Sequence, residues 1–335
     1  MTHILPDKVF DLYYGAPGTA KSEAARAALE QMHHETGKKA RLIIGDGSSL
    51  TFQHLIDAGV AEKVEFTHRS WPLDTLNKLT TGWWPKDVAD PDSPLVPPDK
   101  SILDVGGHVF EGLSVAASYI MGNVQGGLAN RAGKGEKMGQ DSPIRIMEGE
   151  MNTSTGQMIA GSGPGSTFGG NPPAHYGIAQ RAMTGFVQQS RGIPSQMILW
   201  TAHEYTNDAE KDTLVRETVA GPEVIGKALT LNIQRAFNNT VHFQSVMLRK
   251  KSTEKDAFSQ KAIDELDLEF RLYTRDHFNP NGAVQMRYKA CTRGVGPEFP
   301  QFFTSRTPGK AVLDYYMALS DLRGKKALDV SIKPE

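Results

Sequence analysis

Apolar and polar residues follow one another along this chain in blocks that read as strands and helices in turn. Val9 to Tyr14 is a short, almost unbroken apolar run, the pattern of a strand covered on both faces. Glu23 to Glu35 is rich in helix formers; with Lys21 it predicts a helix that ends near Thr36-Gly37, Gly37 taking the C′ position. A second apolar run, Ala40 to Gly45, closes in Asp46-Gly47-Ser48-Ser49. Strand, loop, helix, strand at this spacing is a βαβ unit, and such crossovers build parallel sheets. Thr51 to Ala58 predicts a short helix and Val64 to Phe66 another strand.

From Trp71 to Lys100 the pattern gives way to loop chemistry: Trp83-Trp84-Pro85, Asp90-Pro91-Asp92-Ser93-Pro94 and Pro97-Pro98-Asp99. His108 to Glu111 then reads as a core strand ending in an acid, with a helix to Met121. Residues 123–174 are Gly-rich and show no period, so they are expected to be a flexible insertion, basic in its first half through Arg131, Lys134, Lys137 and Arg145. Such a segment suits a loop that orders on a polymer such as DNA, and equally a solvated surface insertion. Tyr176 to Gln189 predicts a helix, Met197 to Trp200 a buried strand, and Ala220 to Leu229 the approach to another helix. Thr240–Leu248, Leu268–Thr274 and Met286–Thr292 read as strands, with the basic patch Arg249-Lys250-Lys251 between the first two. An amphipathic helix is expected over 309–323, within a C-terminal helix and tail of 309–335. There is no internal repeat.

Composition changes this picture little. The 335 residues are 39% hydrophobic and 22% charged, with a formal net charge of −1, so nothing global demands nucleic acid or an anionic membrane. The single cysteine, Cys291, excludes an internal disulfide and fits a reducing compartment. No run approaches a membrane span and Met1 to Lys8 carries no apolar core of a signal peptide, so a soluble cytoplasmic protein without membrane partners is expected.

Candidate chemistry centres on Gly15-Ala16-Pro17-Gly18-Thr19-Ala20-Lys21-Ser22. Between a strand and a helix, this is the context of a phosphate-binding loop: backbone N–H groups and a helix N-terminus cradle phosphates. Lys21 would reach the β and γ phosphates of a nucleotide, and the Ser22 hydroxyl would hold Mg²⁺. Ala20 replaces the last Gly of the usual pattern; its methyl is tolerable there if the local φ is negative. Glu111 is the candidate acid for holding Mg²⁺, with Asp104 as runner-up; Glu111 also suits the start of a helix. Asp46, Thr201 and His203 stand at strand C-terminal ends, where open α/β sheets bind ligands. Thr201 or His203 could sense the γ-phosphate; His203 also suits an interior histidine. Asp46 could position the attacking water, and Asp46-Gly47 is equally a common turn.

The loop 15–22, the segment Glu111-Gly112-Leu113-Ser114, the strand Ile198 to Glu204 and Pro222-x-x-x-Gly226-Lys227-Ala228-Leu229 occur in that order. In this the chain resembles the RecA-like P-loop ATPases encoded by bacteriophages. The resemblance implies a single RecA-like α/β domain over 1–335, with a mostly parallel sheet flanked by helices. It implies Mg-dependent ATP hydrolysis in DNA recombination or replication, homo-oligomers on single-stranded DNA, and single-stranded-DNA-binding partner proteins in a host-cell cytoplasm. By it, Asp46 matches the water-polarising acid, and Lys289 and Arg293 are candidates for a basic residue offered to a neighbouring subunit's site. The alternative is a virion- or packaging-associated assembly protein with weak or no hydrolysis. A packaging terminase or a small-molecule kinase fits less well, for want of a carboxylate cluster after residue 230 or an Arg-rich lid.

Overall fold

The computed structural model describes residues 4–45, 48–66, 72–132, 173–205, 218–248, 267–278 and 286–331. The first strand, β1 (Val9–Gly15), is buried along its whole length and runs into α1 (Lys21–Thr36). β2 (Lys39–Ile44) follows, then a 3₁₀ turn and the short α2 (Gln53–Asp57), β3 (Ala61–Glu65) and α3 (Pro72–Thr80). A two-residue ribbon, β4 (Trp84–Pro85) with β5 (Leu95–Val96), precedes a 3₁₀ turn, β6 (Val105–Glu111) and α4 (Leu113–Ala132). Next come α5 (Pro173–Ser190), β7 (Met197–Tyr205), β8 (Thr218–Pro222), α6 (Gly226–Asn232) and β9 (Asn239–Leu248). β10 (Asp267–Tyr273), β11 (Arg275–Phe278), β12 (Met286–Thr292), β13 (Phe302–Ser305) and α7 (Pro308–Ser331) complete the described chain.

The strands β3, β2, β6, β7, β1 and β9 lie side by side, all parallel. The loop strand β1 therefore sits between β7 and β9, with one strand separating it from the acid-bearing β6. Beyond β9 the pairing turns antiparallel through β10 and β13, and β8, β11 and β12 flank the strand tips. Alternate residues of β1 feed two cores. Phe10, Leu12 and Tyr14 pack with α3, α4 and α5; Val9 and Tyr13 pack with α1 and α7. Helices thus cover both faces, which is why the parallel strands read as apolar runs rather than as alternation.

α1 forms as expected. Ala24, Ala25, Ala28, Leu29 and Met32 make its buried stripe, and Gly37 ends it at φ 68, donating its N–H to the His33 carbonyl at 2.7 Å. Other expectations need correction. The loop-like stretch 71–100 contains α3, started by Pro72 at the first helical position, with Leu76 and Leu79 three apart in the core. The expected insertion does not begin at 123, because α4 continues to Ala132: Gly126 and Gly127 lower helix propensity without the clash that a proline would bring. The remainder of that insertion, 133–172, and the Arg249-Lys250-Lys251 patch lie outside the described residues. β8, β11 and β13 were not expected; each has five residues or fewer, too short to show a period. No helix among the described residues is long and apolar enough to cross a membrane.

One buried carboxylate braces the loop strand from behind. Asp11, fully buried on β1, accepts from Asn239 Nδ2 at 2.7 Å and from the Tyr316 hydroxyl at 3.1 Å. Tyr316 also meets the Tyr13 hydroxyl at 2.5 Å, so α7 is bonded to β1 at two points.

Candidate nucleotide-binding site

β9 approaches the end of β1 so closely that a side chain at Gly15 would collide with the Phe243 carbonyl oxygen. From there the chain turns through Gly18 at φ 78 and enters α1. Thr19 closes the turn, donating from both its N–H (3.3 Å) and its hydroxyl (2.8 Å) to the Ala16 carbonyl. Lys21 lies under the loop, 8% exposed, its Nζ donating to the carbonyls of Gly15 and Ala16 at 2.9 Å each. No side chain caps the N-terminus of α1, so the helix presents backbone N–H groups and its positive dipole end toward the loop.

Ala20 departs from the sequence expectation. Its φ is +65 and ψ 30, and it is the non-glycine residue with positive φ among those described. The left-handed region costs an L-residue about 1–2 kcal/mol. The loop therefore keeps the backbone that glycine would adopt and holds the alanine in strain.

Three further segments converge on the loop. Ser22 Oγ donates to Glu111 Oε1 at 2.5 Å, which ties the first turn of α1 to the end of β6; Glu111 is 4% exposed. Gly112, at φ 100, donates its N–H to Thr201 Oγ1 at 3.0 Å, joining β6 to β7. Ser114 accepts from the His203 N–H at 2.9 Å and donates to the Glu223 carbonyl at 2.8 Å, while the Glu223 N–H returns to the His203 carbonyl at 2.7 Å. His203 lies beside Gly15 in the β1–β7 register, and its Nδ1 is buried without a hydrogen-bond partner. Thr201 accepts from Gly112 and keeps its hydroxyl proton to donate, and His203 keeps an unbonded ring nitrogen, so both stand ready to answer a ligand at the loop. Nothing in the sequence around Ser114 signals a role for it; its task as a clasp between strands shows only once β6 and β7 are neighbours.

The other candidates separate. Asp46 lies outside the described residues; the Gly45 N–H before it donates to the Glu111 carbonyl at 3.0 Å, which brings that strand end beside the acid. Asp104 closes the 3₁₀ turn before β6, a full strand length from Glu111, so it cannot share the loop's ligand. Lys289 Nζ is paired with Asp276 at 3.0 Å, and the Lys289 carbonyl accepts from Tyr14. Arg293 donates from its backbone to Asn239 and from its guanidinium to the Arg235 carbonyl at 2.6 Å. Asn239 pairs with Asp11 in register, so Arg293 occupies the end of the sheet opposite the loop of its own chain.

Among the described residues no three His, Cys, Asp or Glu side chains gather to hold a metal by themselves. Ser22 and Glu111 nevertheless offer a hydroxyl and a carboxylate, the hard oxygen donors Mg²⁺ takes when phosphate and water complete its shell.

No protein-family model and no curated protein matches this sequence. Among solved structures the chain is similar to the flagellar accessory protein FlaH from Methanocaldococcus jannaschii, with a TM-score of 0.37, 8% identity, and 81% of this chain and 80% of that chain covered. It is also similar to a KaiC-like protein from Pyrococcus horikoshii, with a TM-score of 0.35, 9% identity, and 85% and 91% covered. Both likenesses are distant.

Proposed function

We propose that this chain binds ATP with Mg²⁺ at Gly15–Ser22 and hydrolyses it. The contact between Ser22 and Glu111 carries the reading, because it unites the loop hydroxyl and a strand-end carboxylate at a helix N-terminus with uncapped N–H groups. Lys21 exchanges its two loop carbonyls for the β and γ phosphates. The loop N–H groups and the α1 dipole hold the phosphates in place, and His203, braced by Ser114 and Glu223, answers the γ-phosphate. Asp46 orients the attacking water. Mg²⁺, when bound, neutralises charge on the phosphates; Ser22 and Glu111 are the residues that hold it.

On the family resemblance we extend this to a RecA-like enzyme of phage origin, acting as an oligomer on single-stranded DNA in recombination or replication. Arg293 or Lys289 of a neighbouring subunit then completes the site. A second reading, an assembly protein that binds nucleotide with little turnover, is favoured by one observation, the strained Ala20 inside the loop. ATP turnover measured with and without single-stranded DNA separates the readings. Stimulation supports the first and binding without turnover the second. Lys21→Ala should lower turnover by at least about 10²-fold, the scale of losing one donor aimed at developing charge. Unchanged turnover in that variant would remove the loop from the mechanism.

A further inference from the structure

Beside the loop, three strands assemble a buried chain of ionisable groups that no step above uses. Glu204 Oε2, at the tip of β7, lies 2.9 Å from His242 Nε2 on β9. His242 Nδ1 lies 3.2 Å from His277 Nε2 on β11, and His277 Nδ1 lies 3.3 Å from the Arg275 carbonyl. His242 is 1% and His277 6% exposed, with the rings of Tyr14, Tyr273 and Tyr288 packed against them. His242 pairs in register with Tyr14, the residue before Gly15, and the Lys21 charge acts on it.

Both ends of this chain are acceptors, a carboxylate and a carbonyl. Each of its three gaps needs one proton to become a hydrogen bond, and two neutral imidazoles bring only two. Burial holds His277 down to about 4, with the neighbouring His242 adding to the effect. Burial also holds His242 below its ordinary value; Glu204 opposes this and the Lys21 charge reinforces it. Asp276, itself paired with Arg287 and Lys289, favours charge on His277. Tyr288 is pushed up to about 12 by burial and the Glu204 charge, so it stays a donor to that carboxylate. Near neutral pH the chain therefore holds two protons. One of its three gaps is then left without a proton.

We propose that anionic nucleotide at the loop draws a third proton onto the Glu204–His242–His277 chain, so that binding takes up a proton from solvent. The inference rests on the loop being a nucleotide site. Phosphates bring several negative charges to the place where Lys21 now presents one positive charge, and the field on His242 changes sign. The imidazole values rise, the third gap fills, and the three strands that carry Glu204, His242 and His277 become fully bonded to one another along this chain. By linkage, affinity climbs as pH falls, by up to about tenfold per unit, between the bound-state value and the free value of about 4.

The test is calorimetry of a non-hydrolysable ATP analogue in two buffers of different ionisation enthalpy, at several values between about pH 5 and 7. The wild-type chain should take up more protons than His277→Gln, the difference approaching one; the subtraction removes ionisation of the analogue itself. Equal proton counts, with analogue binding intact in both, would overturn the inference and leave the nucleotide site standing. No binding to the wild-type chain would overturn both. If His277→Gln fails to fold, histidine resonances of the wild-type chain decide: a midpoint for His277 that does not rise on saturation with analogue refutes the third proton.

Discussion

Ser22 Oγ and Glu111 Oε1 stand 2.5 Å apart although 89 positions separate them in the sequence. The loop and the end of β6 are thereby one object, and Glu111 is held where a cation on Ser22 would meet it. Glu111→Gln keeps an oxygen for Ser22 to bond and removes only the charge. Turnover should drop by about 10²-fold or more, whereas nucleotide affinity without Mg²⁺ stays within about threefold. Equal turnover in the variant and the wild-type chain would exclude Glu111 from holding the metal.

Ala20→Gly relieves the left-handed strain of about 1–2 kcal/mol and gives back about 0.4–1 kcal/mol through the freer unfolded chain. The variant should be as stable as the parent or more so, by up to about 1.6 kcal/mol in denaturant unfolding, with turnover equal or higher. A destabilised variant would mean that the methyl makes contacts worth more than the strain.

Arg293 lies across the sheet from its own loop, so any part it plays in hydrolysis comes from head-to-tail assembly, where one chain's lower edge meets the next chain's loop. Arg293→Ala should then be slow alone and recover part of its turnover when mixed with Lys21→Ala, since a mixed interface unites an intact loop with an intact arginine. Absence of rescue at every ratio, with assembly verified by light scattering, rules this out.

His108 makes a prediction about stability and pH. Burial, then the charges of Arg41 and Lys8, lowers it to about 3, so the folded chain keeps it neutral where the unfolded chain would protonate it. Its effect is absent above the unfolded value of about 6.5, and stability is lost as pH falls from there toward about 3. His108→Gln, which can still bond Ser195, should flatten that acid limb in urea unfolding curves recorded from pH 7 to 4. An unchanged limb would show that other groups control it.

How far the sequence carried these conclusions depends on the range of the interaction concerned. β1, α1, β2, β6 and β7 were legible because burial on both faces leaves continuous apolar runs and α1 ends on a glycine that must be left-handed. The sign of φ at Ala20 was not legible, because closure of the loop onto Lys21 decides it. α3 was hidden by the Trp and Pro residues around it, which signal turns to a local reading. The meeting of Ser22 with Glu111 needed the strand order. The chain from Glu204 to His277 spans three strands whose pairing no spacing along the sequence reveals. Arg293 stood at a strand end as expected, but strand direction, which sets the end of the sheet it occupies, came only from the antiparallel β9–β12 pairing.

The bracing of Asp11 by Tyr316 has a bearing on how the protein is made. The loop hangs between β1 and α1, and α7 grips both: its Tyr316 bonds to β1, and Gly309 lets it press directly on Ala27 of α1. Ribosomes deliver that grip 305 residues after Asp11. Until then a buried carboxylate lacks one of its donors and the alanine stripe of α1 lacks its cover. The loop is therefore translated long before the helix that steadies it, and its backbone is fully braced only once α7 has been made and has docked.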